Sequence, residues 1–161
     1  MKELRVRDLM TTQVLTVKPT DTVKRAIIKL AVDNVTGAAV VDNRNHVIGM
    51  ITEFDVLSLI IRYQDKLDKD PSTTQSLLSV PMDGDVADPA LVEANKEISE
   101  MKVEDIMIRT VLCTAPDEVI SRALQKMMKL NVNRLPVLEQ GILVGILSRS
   151  DIIFHIYKKK I

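Results

Sequence analysis

Gly49-Met50-Ile51-Thr52-Glu53-Phe54-Asp55 returns near the end of the chain as Gly145-Ile146-Leu147-Ser148-Arg149-Ser150-Asp151. In each copy a glycine follows an apolar run, two apolar residues come next, and a hydroxyl residue stands three places before an aspartate. The apolar run predicts a buried strand. The residues after the hydroxyl predict a helix, with Val56, Leu57, Leu59 and Ile60 in one copy and Ile152, Ile153 and Ile156 in the other. A strand-to-helix junction with Ser or Thr at the cap presents backbone N–H groups to an anion. The aspartate one turn on is an acceptor suited to a pair of ribose hydroxyls. The same Ser/Thr-x-x-Asp pattern fits a capping box, in which the carboxylate folds back on the cap residue's own N–H. The residues alone allow both.

Outward from the junctions the repetition continues. Val6-Arg7-Asp8-Leu9-Met10 matches Val103-Glu104-Asp105-Ile106-Met107 at an offset of 97, which also pairs Val14 with Val111, Pro19 with Pro116, Ala26 with Ala123, Asn34 with Asn131 and Val40 with Val137. After one deletion in a turn the offset becomes 96, pairing Gly49 with Gly145 and Asp55 with Asp151. A period held this long marks two copies of one unit. In the first copy, a leading segment over residues 6–10 precedes a strand over 14–17. Pro19-Thr20-Asp21 then opens a helix carrying Val23, Ala26, Ile27 and Leu30, which ends near Asp33-Asn34. Strands over 37–41 and 47–51 flank the turn Asp42-Asn43-Arg44-Asn45, and Thr52 caps a helix running to about Tyr63.

The expected class is α+β: two pseudo-twofold-related β-α-β-β-α repeats packed through their sheets. A small sheet with both helices on one side leaves an apolar face that a second copy would cover. The expected domains are residues 1–64 and 101–161, joined by a connector over 65–100. In the connector, residues 66–79 read as irregular, and Asp88-Pro89 opens a helix through Ala90, Leu91, Ala94, Ile98 and Met101. That helix has an apolar stripe suited to the repeats or to a second subunit. Asp83, Asp85 and Asp88 fit either a solvated turn or a metal site.

Composition narrows the function. The 161 residues carry 22 Lys and Arg against 22 Asp and Glu, so no global field recruits nucleic acid or anionic membrane. The basic ending Lys158-Lys159-Lys160 fits a solvated helix end. Two Phe, two Tyr and no Trp leave no stacking platform for single strands. With one cysteine, Cys113, an internal disulfide is impossible, and His46 and His155 form no catalytic or metal pattern. No apolar run reaches a membrane span and the N-terminus lacks a signal peptide's core, so a cytoplasmic protein is expected.

With the repeat in hand, the chain resembles a tandem pair of CBS (cystathionine β-synthase) domains, the Bateman module. The resemblance rests on Asp8-Leu9-Met10 with Asp105-Ile106-Met107, the Thr16-Val17-Lys18-Pro19 and Cys113-Thr114-Ala115-Pro116 turns, Gly37-Ala38-Ala39-Val40-Val41-Asp42 with Arg134-Leu135-Pro136-Val137-Leu138-Glu139, and both junctions. It implies a disc-like, usually dimerised unit without catalysis of its own. Two clefts would bind AMP, ADP, ATP (with magnesium) or S-adenosylmethionine and thereby regulate a partner protein or an attached domain. By position, one cleft would use Ser148 near phosphate and Asp151 on the ribose, with Thr16, Val17 and Lys18 along the adenine and Thr36 and Asn133 at the edges. The other would use Thr52 and Asp55 with Cys113, Thr114 and Ala115. Arg134 and Arg149 supply cations beside Ser148, whereas Glu53 follows Thr52, so the Ser148 cleft is expected to take the phosphorylated ligand. Arg149 also fits a plain surface residue. A ligand-free homodimer that docks a partner is the alternative function.

Overall fold

Asn34 and Asn131, the pair expected to end the first helix of each repeat, both adopt left-handed backbone, with φ of 52° and 51°. Asparagine tolerates that conformation, which stops a helix after its last turn. The structure, a computed structural model, describes residues 2–73, 75–82, 84 and 88–158. The first half contains α1 (Val6–Leu9), β1 (Thr16–Val17), α2 (Val23–Val32), β2 (Gly37–Val41), β3 (Val47–Thr52) and α3 (Glu53–Asp68). A 3-10 turn (Leu77–Ser79) and α4 (Pro89–Glu100) form the connector. The second half contains α5 (Val103–Ile106), α6 (Ile120–Lys129), β4 (Arg134–Glu139), β5 (Ile142–Ser148) and α7 (Arg149–Lys158).

The first sheet has the order β1-β2-β3, with β1 parallel and β3 antiparallel to β2. The second is the antiparallel pair β4-β5, and its expected first strand shrinks to a single parallel bridge between Thr114 and Val137. That bridge is the counterpart of Val17 beside Val40, so the topology repeats although the strand is shorter. β2 is buried along its whole length. Ala38 and Val40 face the core of the first half, while Ala39 and Val41 meet Leu143 of β5 between the two sheets. Two covered faces explain a continuous apolar run in place of alternation.

The leading segments cross between the repeats. Each packs on the other repeat rather than its own. Val6, in α1, is fully buried among Ile120, Met127, Leu135 and Leu147, and Val103 and Met107 join the core built on Val17, Val23, Val40 and Ile51. The exchange is reciprocal in its hydrogen bonds. Val6 and Arg7 N–H donate to the carbonyls of Glu118 and Pro116, at 2.9 and 3.0 Å, and Val103 and Glu104 N–H donate to Asp21 and Pro19 at the same distances. Helices this short have only unpaired first-turn donors, and the opposite repeat satisfies them. Asp8 and Asp105 accept from the N–H of Arg5 and Lys102, at 2.8 and 3.1 Å.

The repeated glycines admit these segments. A Cβ on Gly49 would lie 2.7 Å from Met107 Sδ and 2.9 Å from the Ile108 carbonyl, and one on Gly145 would lie 2.9 Å from Met10 Sδ and 3.0 Å from the Thr11 carbonyl. Beside them, Met50 and Ile108 exchange two backbone hydrogen bonds of 2.9 Å, as do Thr11 and Ile146. A glycine inside a strand marks such a close backbone approach.

α3 continues five residues beyond Tyr63 because Leu67 finds burial against the connector with Leu59, Leu77, Leu91 and Ile98. Gln64 Oε1 accepts from the Leu77 N–H at 2.8 Å, and the Tyr63 hydroxyl donates to Glu97 at 2.9 Å. The expected α4 is present, capped by Asp88, and packs on α2 and α3 of the first repeat.

Ahead of α6, the Thr114 hydroxyl and the Lys126 ammonium both donate to the Glu118 carboxylate, the latter at 2.8 Å. Burial raises this carboxyl, but the Lys126 and Thr114 hydrogen bonds outweigh it and hold it below the usual range. A depressed pKa stabilises the fold above the unfolded-state value, and the gain vanishes as pH falls through the folded value. Glu118→Gln should therefore cost about 1–2 kcal/mol at pH 7. In urea titrations the gap to wild type should begin to narrow below the unfolded-state carboxylate value, about 4.3, and close as pH falls through the lower folded value. A gap that stays constant as the carboxylates protonate would refute this assignment.

Candidate functional site

Both strand-to-helix junctions form capping boxes. Thr52 N–H and hydroxyl donate to Asp55 Oδ2 at 2.8 and 3.1 Å. Ser148 N–H donates to Asp151 Oδ2 at 2.8 Å, and Asp151 N–H donates to Ser148 Oγ at 3.1 Å. The first helical N–H groups, of Glu53 and Arg149, donate to the carbonyls of Thr36 and Asn133 at 2.9 and 3.0 Å. Much of each helix N-terminus is thus engaged within the protein. One oxygen of each aspartate serves the cap, and the geometry holds the carboxylates in fixed orientation.

A cleft between the repeats lies at each junction. The Thr52 cleft, about 450 Å³, is walled by Met50, Thr52, Glu53 and Phe54 of the first repeat and by Ile108, Thr110, Val111, Leu112 and Arg134 from the second half, with Thr36 and Asn133 also lining it. The Ser148 cleft, about 180 Å³, is lined by Thr11, Gln13, Val14, Leu15, Gly37, Arg134, Ile146, Ser148 and Asp151. The larger volume falls in the range of small-molecule sites.

The linings place several candidate residues differently from the sequence expectation. Gln13, Val14 and Leu15 line the Ser148 cleft, rather than Thr16, Val17 and Lys18. Val17 is core, and Lys18 Nζ donates to the Asp42 carbonyl at 3.0 Å. In the other cleft Thr110, Val111 and Leu112 take the place expected for Cys113, Thr114 and Ala115. Thr114 is buried on Glu118, and Cys113 Sγ donates to the Val111 carbonyl at 3.5 Å. Burial pushes the Cys113 thiol up against the opposing charge of Lys126, disfavouring the nucleophilic thiolate. The cleft walls come from the chain before each first strand, and the brevity of those strands is what separates lining from core. That brevity left no mark in the sequence.

The arginines also part ways. Arg149 leaves the cleft: its Nε donates to the Val132 carbonyl at 3.1 Å, and its Nη2 to the Met127 carbonyl and Asn131 Oδ1 at 3.3 and 3.1 Å. It closes the C-terminal end of α6, where a cation suits the exposed carbonyls. Arg134 lines both clefts, its Nη1 donating to the Gly37 carbonyl at 3.1 Å. Among the described residues no group of His, Cys, Asp and Glu is arranged to hold a metal, and no helix is long and apolar enough to cross a membrane. Asp88 caps α4 through the Ala90 N–H at 3.0 Å. Asp83, Asp85, Lys159 and Lys160 lie outside the described residues.

Comparison with known proteins gives this geometry a context. Uncharacterized protein MJ1426 of Methanocaldococcus jannaschii is 29% identical over 150 residues, covering 92% of this chain and 88% of that protein. The chain spans only 21–41% of four further curated relatives. Among solved structures, CBSX2, a protein of Arabidopsis thaliana, in complex with AMP matches with a TM-score of 0.70 at 23% identity, covering 98% of each chain. The CBS domain pair of protein MJ0100, in complex with 5'-methylthioadenosine and S-adenosyl-L-methionine, matches with a TM-score of 0.66 at 20% identity, covering 99% of this chain and 100% of that one. The CBS domain model matches twice, over residues 6–62 and 103–158, in the same two places where the repeat and the paired clefts occur; the chain belongs to the CBS domain family, as a tandem pair.

Proposed function

We propose that this chain is a non-catalytic regulatory module that takes an adenosine-containing ligand in the clefts between its two repeats. The observation that carries the reading is the Thr52 cleft of about 450 Å³, whose walls come from both halves. A ligand held there favours whichever relative placement of the repeats it fits, and differential affinity for two states is all that regulation needs. Met50, Phe54, Ile108, Val111 and Val132 give apolar cover for a base, and Thr52 and Arg134 give polar contacts for a ribose phosphate. In the Ser148 cleft, Ser148 and Asp151 would serve the same ligand class. The AMP complex of CBSX2 and the methylthioadenosine and S-adenosylmethionine complex of MJ0100 support the ligand class. The regulated protein would be a cytoplasmic partner.

A thermal-shift screen with AMP, ADP, ATP, S-adenosylmethionine, methylthioadenosine and GTP, with and without magnesium, tests this. A ligand at a hundredfold excess over its Kd adds about 2.7 kcal/mol. In a chain of this size that raises Tm by roughly 5–10 °C. A flat response from folded protein would overturn the reading. It would favour a homodimer that docks a partner, for which the exposed apolar residues Phe54, Leu57 and Ile61 of α3 and Ile153, Phe154 and Ile156 of α7 are the supporting observation.

A further inference from the structure

Arg134 and Gly37 hold equivalent positions in the two repeats, at the offset of 97. Each starts a strand, Arg134 opposite Ser148 and Gly37 opposite Thr52. They meet between the two clefts: Arg134 Nη1 donates to the Gly37 carbonyl at 3.1 Å, and a Cβ on Gly37 would sit 3.6 Å from that nitrogen. Arg134 is the one Lys or Arg among the described residues lining either cleft, and it lines both. Each cleft also carries a carboxylate, Glu53 on one side and Asp151 on the other. One cation thus serves two clefts.

We propose that Arg134 couples the two clefts negatively for phosphate-bearing ligands, so that an anion bound in one weakens anion binding in the other. The proposal rests on the adenosine reading above and adds the regulation of that site. The guanidinium is a flat donor fork, and its hydrogen bond to Gly37 goes to a neutral carbonyl. A phosphate in either cleft offers a stronger, charge-assisted partner. Once the fork turns to one phosphate, the second cleft presents its carboxylate to a second phosphate without a cation. Like charge then opposes the second anion. A neutral nucleoside, which does not engage the guanidinium through charge, should escape the coupling.

Titration of wild-type protein, methyl-labelled at Met and Ile, with AMP and separately with adenosine tests the coupling by NMR. Met50 and Ile108 report the Thr52 cleft and Ile146 the Ser148 cleft. The ratio of the two midpoints for adenosine measures how unequal the clefts are intrinsically. For AMP that ratio should be about tenfold larger or more, the worth of one charge-assisted hydrogen bond. In Arg134→Gln the AMP ratio should fall to that of adenosine. Equal ratios for the two ligands in wild type overturn the coupling whatever the variant does, and so does an AMP ratio that Arg134→Gln leaves unchanged. Absence of any shift with either ligand overturns the adenosine reading itself, and this proposal with it.

Discussion

Alanine at position 49 is expected to destabilise the protein by about 2–4 kcal/mol, lowering Tm by roughly 5–15 °C. The added methyl meets two obstacles of different kinds. Met107 Sδ, 2.7 Å from the new Cβ, with Cγ at 3.1 Å, belongs to a flexible side chain that can swing aside. The Ile108 carbonyl, at 2.9 Å, cannot, because it is fixed by its hydrogen bond from the Met50 N–H. Relief requires the second half's leading segment to lift from β3, with loss of the two backbone bonds between Met50 and Ile108. Gly145→Ala should behave alike, with Thr11 in the role of Ile108. Thermal melts of Gly49→Ala and of Gly49→Ala with Met107→Ala separate the contributions. A change under about 0.5 kcal/mol, the range of ordinary surface substitutions, would show that the backbone approach is looser than described.

Val6→Asp should cost at least about 3 kcal/mol, the penalty for an unpaired carboxylate in an apolar core. The informative part is where the damage falls. Val6 is first-half sequence, yet it is packed among second-repeat residues. Hydrogen exchange should therefore lose protection in β4 and β5 before β2 and β3, since local stability follows local packing. Val103→Asp should give the mirror pattern, because Val103 belongs to the core around Val23, Val40 and Ile51. If Val6→Asp loosened β2 and β3 first, the exchange of leading segments would be refuted.

Some features could be read directly along the chain. Asn34 and Asn131 stop their helices in left-handed backbone, and Asp88-Pro89 opens α4 with the aspartate as cap. Each is a local preference that needs no distant partner. The junction motif was legible as chemistry, and the capping box forms at both junctions, using one oxygen of each aspartate. Other features depend on distant partners. Arg149 looks like a phosphate ligand by its neighbours in sequence, and its guanidinium is drawn instead to the carbonyls of Met127 and Val132. The cleft walls sit three residues earlier than the repeat motifs suggest, because β1 starts only at Thr16.

The sequence by itself determined the repeat, the order of its elements and the hairpin in each copy, which follow from periodicity and local propensity written along one chain. The family was legible as a resemblance of motifs. Only the tertiary structure decided which repeat each leading segment joins, that Gly49 and Gly145 exist to receive Met107 and Met10, and that one arginine stands between two clefts. The physical reason is degeneracy. Two repeats built on one pattern offer each segment two similar seats, so hydrophobic pattern alone does not choose between them. Close packing around a glycine and the reach of a guanidinium make that choice in three dimensions.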